Sequence, residues 1–343
     1  MTKKIMNKKN KVILIFSLLG LVLFLSFFLE PKTPSVIGEK LFISKDANLP
    51  LREISGASLF YDKSKNKKYI YTVGDASSEI FISEVDTAQK KLTNSYSIDI
   101  EKKITDKFAF CSDKKITACK KMLNDMTKQW EAIYVDPLKR IFLLNEPLAT
   151  ILVYDQKKQD ITHRINLNNF SLEKKLGKFS KDPNSQGEGL LPLRNGHILV
   201  IKESKPSLII EFGLATEKAQ GFSKNLLVDE KNNFTLTEEK IQMIPLAFWK
   251  LPKEFSSCDL SELNYSREGK LEILSQRCQA LIKIKDLEVE KKIVTIEKIW
   301  NLPRALKYAE AFISLEKTGD FIVFEDKKNI FEKNSYFLSQ SSP

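Results

Sequence analysis

The chain has 343 residues, 42% of them hydrophobic and 29% charged. That balance excludes a disordered chain and leaves room for one large domain or two ordinary ones. The formal charge of +11 is partly local, because Lys3, Lys4, Lys8, Lys9 and Lys11 crowd the start; with no Arg-rich helix or basic-aromatic motif in the remainder, no nucleic-acid partner is expected.

Residues 1–11 read as a basic cytoplasmic tail. Residues 12–29, VILIFSLLGLVLFLSFFL, carry no charge, and at ~1.5 Å per residue they reach ~27 Å, the depth of a bilayer core. Lysines before this stretch and Glu30 after it point the tail toward the cytoplasm. A single transmembrane signal anchor is expected, followed by a spacer over 30–40 and one extracytoplasmic domain over 41–340. A cleaved signal peptide is the competing reading, but SFFLEPKTPS offers no small-x-small site and no Cys follows for lipid attachment.

The four cysteines are Cys111, Cys119, Cys258 and Cys278. Three pairings exist on paper; the local bridges Cys111–Cys119 and Cys258–Cys278 are expected and suit an oxidising compartment. Zinc is the alternative, disfavoured because the spacings are not C-x-x-C and the histidines are only His163 and His197.

After the spacer a template recurs: a glutamate, a short apolar strand, a polar turn, a second apolar strand, then an acid. Glu131 opens EAIYVDPLKRIFLLNE, closed by Glu146. Glu188 opens EGLLPLRNGHILVIKE, closed by Glu203, and Glu310 opens EAFISLEKTGDFIVFE, closed by Glu325. Glu262 opens a copy one residue shorter with Gln276 in the closing place, and Glu53 opens one whose longer turn delays the acid to Asp75. Third strands follow at EIFISEVD, TILVYD, SLIIEFG, ALIKIKDL and NIFEKNSYFL, and fourth strands at YSIDI, HRINL, QMIPLAFW and KIVTIEKIW. Short β-branched and aromatic runs bounded by turn residues are strands. Repeats of three or four antiparallel strands predict an all-β fold, a β-propeller of five blades, with the longer insertions (101–129 and 214–240) leaving room for a sixth. VIGEKLFIS is expected to supply the outer strand of the last blade and close the ring.

Inner strands line a propeller's axis, so equivalent positions converge. Glu53, Glu131, Glu188, Glu262 and Glu310 are expected to form one ring, with Asp75, Glu146, Glu203 and Glu325 as a second tier. Crowded carboxylates must protonate, pair with a base or bind a cation, and an oxygen-only site suits Ca²⁺. Lys202 and Arg277 sit beside the acids in sequence and are candidate receivers of an anionic substrate. The plainer alternative is that each glutamate braces a neighbouring blade by bonding its backbone. His163 and His197 read as structural or exposed, and no G-x-S-x-G elbow occurs.

REISGASLFYD with YIYTVGD, WEAIYVD with FLLNE, QGEGLLPLRNGHILVIKE, LSELNYSREGKLEILSQR and AEAFISLEKTGDFIVFED, taken in order, resemble the phytase-like propellers, the family labelled "esterase-like activity of phytase". The resemblance covers roughly residues 50–335. The SdiA-regulated, membrane-anchored propellers are the second match. Two positions depart from the family pattern: Gln276 stands for an acid and Lys327 for an asparagine. The resemblance implies a calcium-assisted phosphoester or ester hydrolase; the departures and the anchor favour a non-catalytic propeller that binds an anionic small molecule or a protein at the membrane surface. Fold is implied more firmly than reaction. A sensor coupled through the membrane helix is a third option, but residues 1–11 are too short for an output domain.

Overall fold

The computed structural model describes residues 37–107, 124–168, 187–203, 206–315 and 318–340. The expected span over 12–29 and the pair Cys111–Cys119 lie outside these. Among the described residues no helix is long and apolar enough to cross a membrane.

The first two strands, β1 (Glu39–Lys40) and β2 (Phe42–Ala47), belong to the last two blades. Blade 1 is β3 (Ile54–Asp62), β4 (Lys67–Gly74), β5 (Glu79–Asp86) and β6 (Lys91–Asp99). Blade 2 is β7 (Trp130–Val135), β8 (Arg140–Asn145), β9 (Thr150–Asp155) and β10 (Asp160–Leu167). Blade 3 follows as β11 (Gly189–Pro192), β12 (Ile198–Lys202), β13 (Leu208–Gly213) and β14 (Lys240–Lys250). Blade 4 is β15 (Glu262–Tyr265), β16 (Leu271–Ser275), β17 (Ala280–Ile284) and β18 (Ile296–Asn301), with β1 added in parallel on its outside. Blade 5 is β19 (Ala309–Ser314), β20 (Phe321–Glu325) and β21 (Ser335–Ser339), completed by β2. The described residues thus form five blades, and β1 falls inside the expected spacer.

Each inner strand packs on the inner strand of the next blade, and β19 returns to β3, so the ring is closed. The closing strand is the expected one: β2 runs antiparallel to β21, with Phe42 opposite Ser339 and Ala47 opposite Ser335. Ser44 Oγ adds a 3.0 Å bond to the carbonyl of Phe337, 293 residues away in sequence.

The core lies between blades rather than under a sheet. Separate apolar clusters fill the joints between blades 1 and 2, 5 and 1, and 4 and 5, and one larger cluster spans blades 2 to 4. A strand sandwiched by neighbours on both faces needs no polar face. This is why IFLL at 141–144 and ILVI at 198–201 are apolar without alternation and fully buried. Trp130, Trp249 and Trp300 are all buried at such joints. Turns between first and second strands each carry one left-handed residue: Asn66, Lys139, Gly196, Gly269 and Gly319. At Lys139 a residue with a Cβ holds φ +64°, a strained conformation that glycine would adopt freely.

Cys258 and Cys278 form a disulfide, as expected, with Cα atoms 5.3 Å apart. It ties the segment leading into β15 to the turn after β16. Outside the blades, α1 (Glu101–Lys107) starts where Asp99 Oδ1 accepts the Glu101 N–H at 2.9 Å.

If the ladder between β2 and β21 latches the ring, Ile43→Pro should lower the melting temperature by several degrees, because proline removes a strand donor and fixes φ. A thermal scan matching the wild type would show that the ring holds without this latch.

Candidate functional site

The strand ladders settle which residues are equivalent. In blade 1 the pairing skips a residue between Ile54 and Gly56, in blade 2 between Trp130 and Ala132, and in blade 5 between Ala309 and Ala311. A skipped residue is a β-bulge, a device that bends the strand and re-aims one side chain. The bulged residues are Ser55, Glu131 and Glu310. Blades 3 and 4 reach the same arrangement just ahead of the strand. There Glu188 and Ser261 donate their N–H groups to the carbonyls of Ile201 and Leu274, at 3.1 and 2.9 Å, while the next residues, Gly189 and Glu262, pair with those same positions. The ring is therefore Ser55, Glu131, Glu188, Ser261 and Glu310.

The second tier consists of the residue that follows each second strand: Asp75, Glu146, Glu203, Gln276 and Asp326. Seven of these ten positions, together with Glu53 two residues before the first bulge, place a carboxylate in the wall of one axial cavity. Its volume is about 260 Å³, and the wall holds Glu53, Asp75, Glu131, Glu146, Glu188, Glu203, Glu310 and Asp326 beside Ile54, Ser55 and Gln129. Among the described residues no Lys or Arg lines it.

Two expected members stand elsewhere. Glu262 is one place past the ring, because the template aligned on its glutamate when Ser261 holds the equivalent position. Buried below the cavity, it accepts the Ala57 N–H of blade 1 at 3.1 Å and the Leu263 N–H at 2.9 Å. It is a brace across the axis, the plainer role weighed for the whole series. Glu325 ends β20 and points away from the cavity, accepting the Tyr308 N–H at 3.2 Å with Lys327 Nζ 3.4 Å away. The turn between β19 and β20 spans 315–320, one residue longer than the turn over 136–140, so the tier position moves to Asp326.

The two candidate anion receivers are also outside the wall. Lys202 is fully buried at the end of β12. Arg277 is half-exposed, 4.0 Å from Asp259 and bonded to the Ser257 carbonyl at 3.3 Å. Asp259 also accepts from Ser275 Oγ at 2.7 Å and from the Arg277 N–H at 2.9 Å. Residues absent from the sequence expectation are Ser55, Gln129, Ser261 and Asp326. Gln129 shares with Glu53 a left-handed backbone, φ +62° and +49°, two residues before the bulge in its own blade.

Crowding dominates the electrostatics. Burial, then the neighbouring Glu146, Asp75 and Glu310, push the Glu131 carboxyl well above the usual range. Burial and then Glu131, Glu146, Glu310 and Glu203 do the same to Glu188. Glu310 rises to about 8, through burial and the charges of Asp259, Asp326 and Glu203, against a lowering bond from Ser261. Asp75 rises to about 6, through burial and the adjacent Glu53. Asp326 is raised by burial and Glu53, and lowered by Lys328 and Lys327. Oδ1 of Asp75 and Oδ1 of Asp326 are buried without a hydrogen-bond partner. Such a wall can share protons or accept a cation. Among the described residues no three Asp, Glu, His or Cys side chains already share metal-ligand geometry.

No family model matches the chain, and no curated protein matches it. It is similar to several solved structures. The WD40 repeats of RRP9 align at 7% identity and TM-score 0.36, over 83% of this chain and 66% of that one. Luciferin-regenerating enzyme aligns at 12% identity and TM-score 0.40, over 88% and 94%. A catalytically inactive virginiamycin B lyase from Staphylococcus aureus, solved with quinupristin, aligns at 10% identity and TM-score 0.37, over 88% and 99%. The chain thus spans about two thirds of the WD40 structure's length. The ladders themselves define the class: a five-bladed β-propeller with an axial carboxylate pocket.

A carboxyl raised in the folded state keeps its proton where the unfolded chain has lost it. Stability from Glu310 is then complete below the unfolded value of 4.5 and declines as pH rises toward about 8. In chelator, the wild type should melt progressively lower from pH 5 to pH 9, and Glu310→Gln should flatten that decline by a few degrees. Parallel pH profiles for the two proteins would show that Glu310 does not titrate between those limits.

Proposed function

We propose that this chain is a membrane-anchored, extracytoplasmic propeller whose axial pocket binds a hard divalent cation, calcium, and presents it to an anionic small molecule or a protein. One observation carries the reading: among the described residues eight carboxylates and no basic side chain form the pocket wall. An anion has nothing to meet there unless a cation comes first. The donor chemistry fits, since the wall supplies carboxylate oxygens and no sulfur or imidazole, and two of its oxygens are buried without partners. Glu131, Glu188 and Glu310 would hold the ion, with Asp75, Glu146, Glu203 and Asp326 available from the second tier. A bound cation would neutralise part of the wall and attract an anionic group. The anchor rests on residues 12–29 and the compartment on the cysteines.

A calcium-assisted phosphoester or ester hydrolase is the second reading, favoured by the motifs resembling phytase-like propellers. Blade 4 supports it in one respect. Ser261 and Gln276 hold blade 4's ring and tier positions, so the carboxylates of the two tiers are uneven rather than five-fold. Asymmetry is what a reacting site needs and a purely structural ring does not.

Calcium at ~100-fold excess over its dissociation constant should stabilise the protein by ~2.7 kcal/mol over the chelated form. Glu188→Gln should remove most of that response. Identical melting in calcium and in chelator, with no metal co-purifying, would eliminate the cation reading. A phosphoester and carboxylester panel, run with and without calcium, then separates hydrolysis from binding.

A further inference from the structure

The same inner strands that start at the acid pocket end at a second opening of different character. Three cavities of about 680, 450 and 300 Å³ lie there. The first two share Tyr61, Tyr134 and Tyr265; the second and third share Phe60, Asp62 and Lys139. They form a funnel that continues as a groove along blade 1. Tyr134 and Tyr265, from blades 2 and 4, floor the funnel. Tyr69, Tyr71 and Tyr96 line the groove. Six of the chain's nine tyrosines therefore face one continuous cleft.

The charges of this cleft nearly cancel. Six cationic and five anionic side chains line the three cavities, and several are already matched. Lys67 meets Glu84 at 2.8 Å, Lys139 meets Asp62 at 2.9 Å and Lys63 meets Glu230 at 3.3 Å. A polyanion would have to break these pairs for one net positive charge. Side-chain amides fill the gaps: Asn66 and Asn264 in the funnel, Asn94 and Gln156 in the groove. Two rings are open to stacking, since Tyr61 is 45% exposed and Tyr96 51% exposed.

We propose that this cleft, at the opposite end of the inner strands from the acid pocket, binds a neutral oligosaccharide. A sugar ring has an apolar C–H face and an edge of hydroxyls. Tyrosine offers the matching combination, a flat apolar ring ending in a polar hydroxyl. Paired ions and amides present donors and acceptors together, which suits hydroxyls that need both. The connected funnel and groove suit an elongated ligand of several sugar units, held in a concave site with a few placed polar groups.

The test uses the purified full-length chain and neutral oligosaccharides built from glucose, mannose or N-acetylglucosamine, with uronic-acid and sulfated oligosaccharides as the acidic set. Binding is read by calorimetry and by saturation transfer from the tyrosine ring protons. At least one neutral oligosaccharide should bind, equally well in calcium and in chelator. Tyr61→Ala and Tyr96→Ala should each weaken it about tenfold without lowering the melting temperature, as expected for exposed rings. The proposal is overturned if no neutral oligosaccharide binds at millimolar concentration, if only the acidic set binds, or if both variants bind as the wild type does. Loss of affinity in Glu188→Gln would equally overturn it, by placing the sugar in the acid pocket.

Discussion

A ring of blades exists only if the last blade meets the first, and here that join depends on strands from opposite ends of the domain. β2 must find β21 across nearly the whole sequence before the joint between blades 5 and 1 can exclude water. Everything at the axis depends on this closure. The core is distributed among the joints, so a blade left unpaired loses packing on a whole face. Such non-local pairing carries a large loop-closure cost and folds slowly. Backbone bonds between blades reinforce the ring beside the pocket. Glu53 N–H donates to the Lys327 carbonyl at 3.1 Å, Gln129 to Asp75 at 2.7 Å and Leu260 to Glu203 at 3.1 Å.

Closure also creates the electrostatic problem at the axis. Once the ring radius is fixed, the carboxylates cannot separate, and their ionisation is opposed by burial and by one another. The neutral residues are placed where they relieve this. Ser55 takes the ring position in blade 1 and bonds the Trp130 carbonyl. Ser261 takes it in blade 4 and bonds Glu310. Blade 4 is further fixed by the disulfide and by Asp259, whose bonds to Ser275 and Arg277 hold the turn that carries Gln276. A protein that keeps so many repelling groups together does so at the expense of its own stability.

The blades were legible in the sequence because their strands are short apolar runs separated by strong turn signals. The second, third and outer strands of blade 2 fall where RIFLLN, TILVYD and HRINL place them, and VIGEKLFIS closes the ring. The pocket was legible to within two residues, Glu53 standing two places before Ser55 and Glu262 one place after Ser261. Period-2 geometry makes such a slip consequential, since the next side chain faces elsewhere. Glu262 misled because a glutamate one place late is a stronger signal than the serine that holds the position. Asp326 was obscured by a single extra turn residue in LEKTGD. Counting fifteen residues back from Gln276 would have found Ser261. The tyrosine cleft was not legible, because its rings come from three blades and share no spacing.

The outer rim has a consequence for how the molecule behaves in company. β10 and β14 pair in parallel, with Arg164 opposite Lys240 and Leu167 opposite Met243, fusing blades 2 and 3 into one eight-stranded sheet. β1 covers the end of blade 4's outer strand, at Trp300 and Asn301. Among the described residues, β6 and β2 are the outermost strands of the adjacent blades 1 and 5. β6 is a polar, mostly exposed strand, KLTNSYSID, and the turn before it is tied to β2 by Lys45 Nζ on the Gln89 carbonyl and Lys90 Nζ on Ser44, at 3.0 and 2.7 Å. Exposed sheet edges are where chains join into aggregates. Where the rim is paired or tied in this way, a second chain has less free edge on which to add a strand.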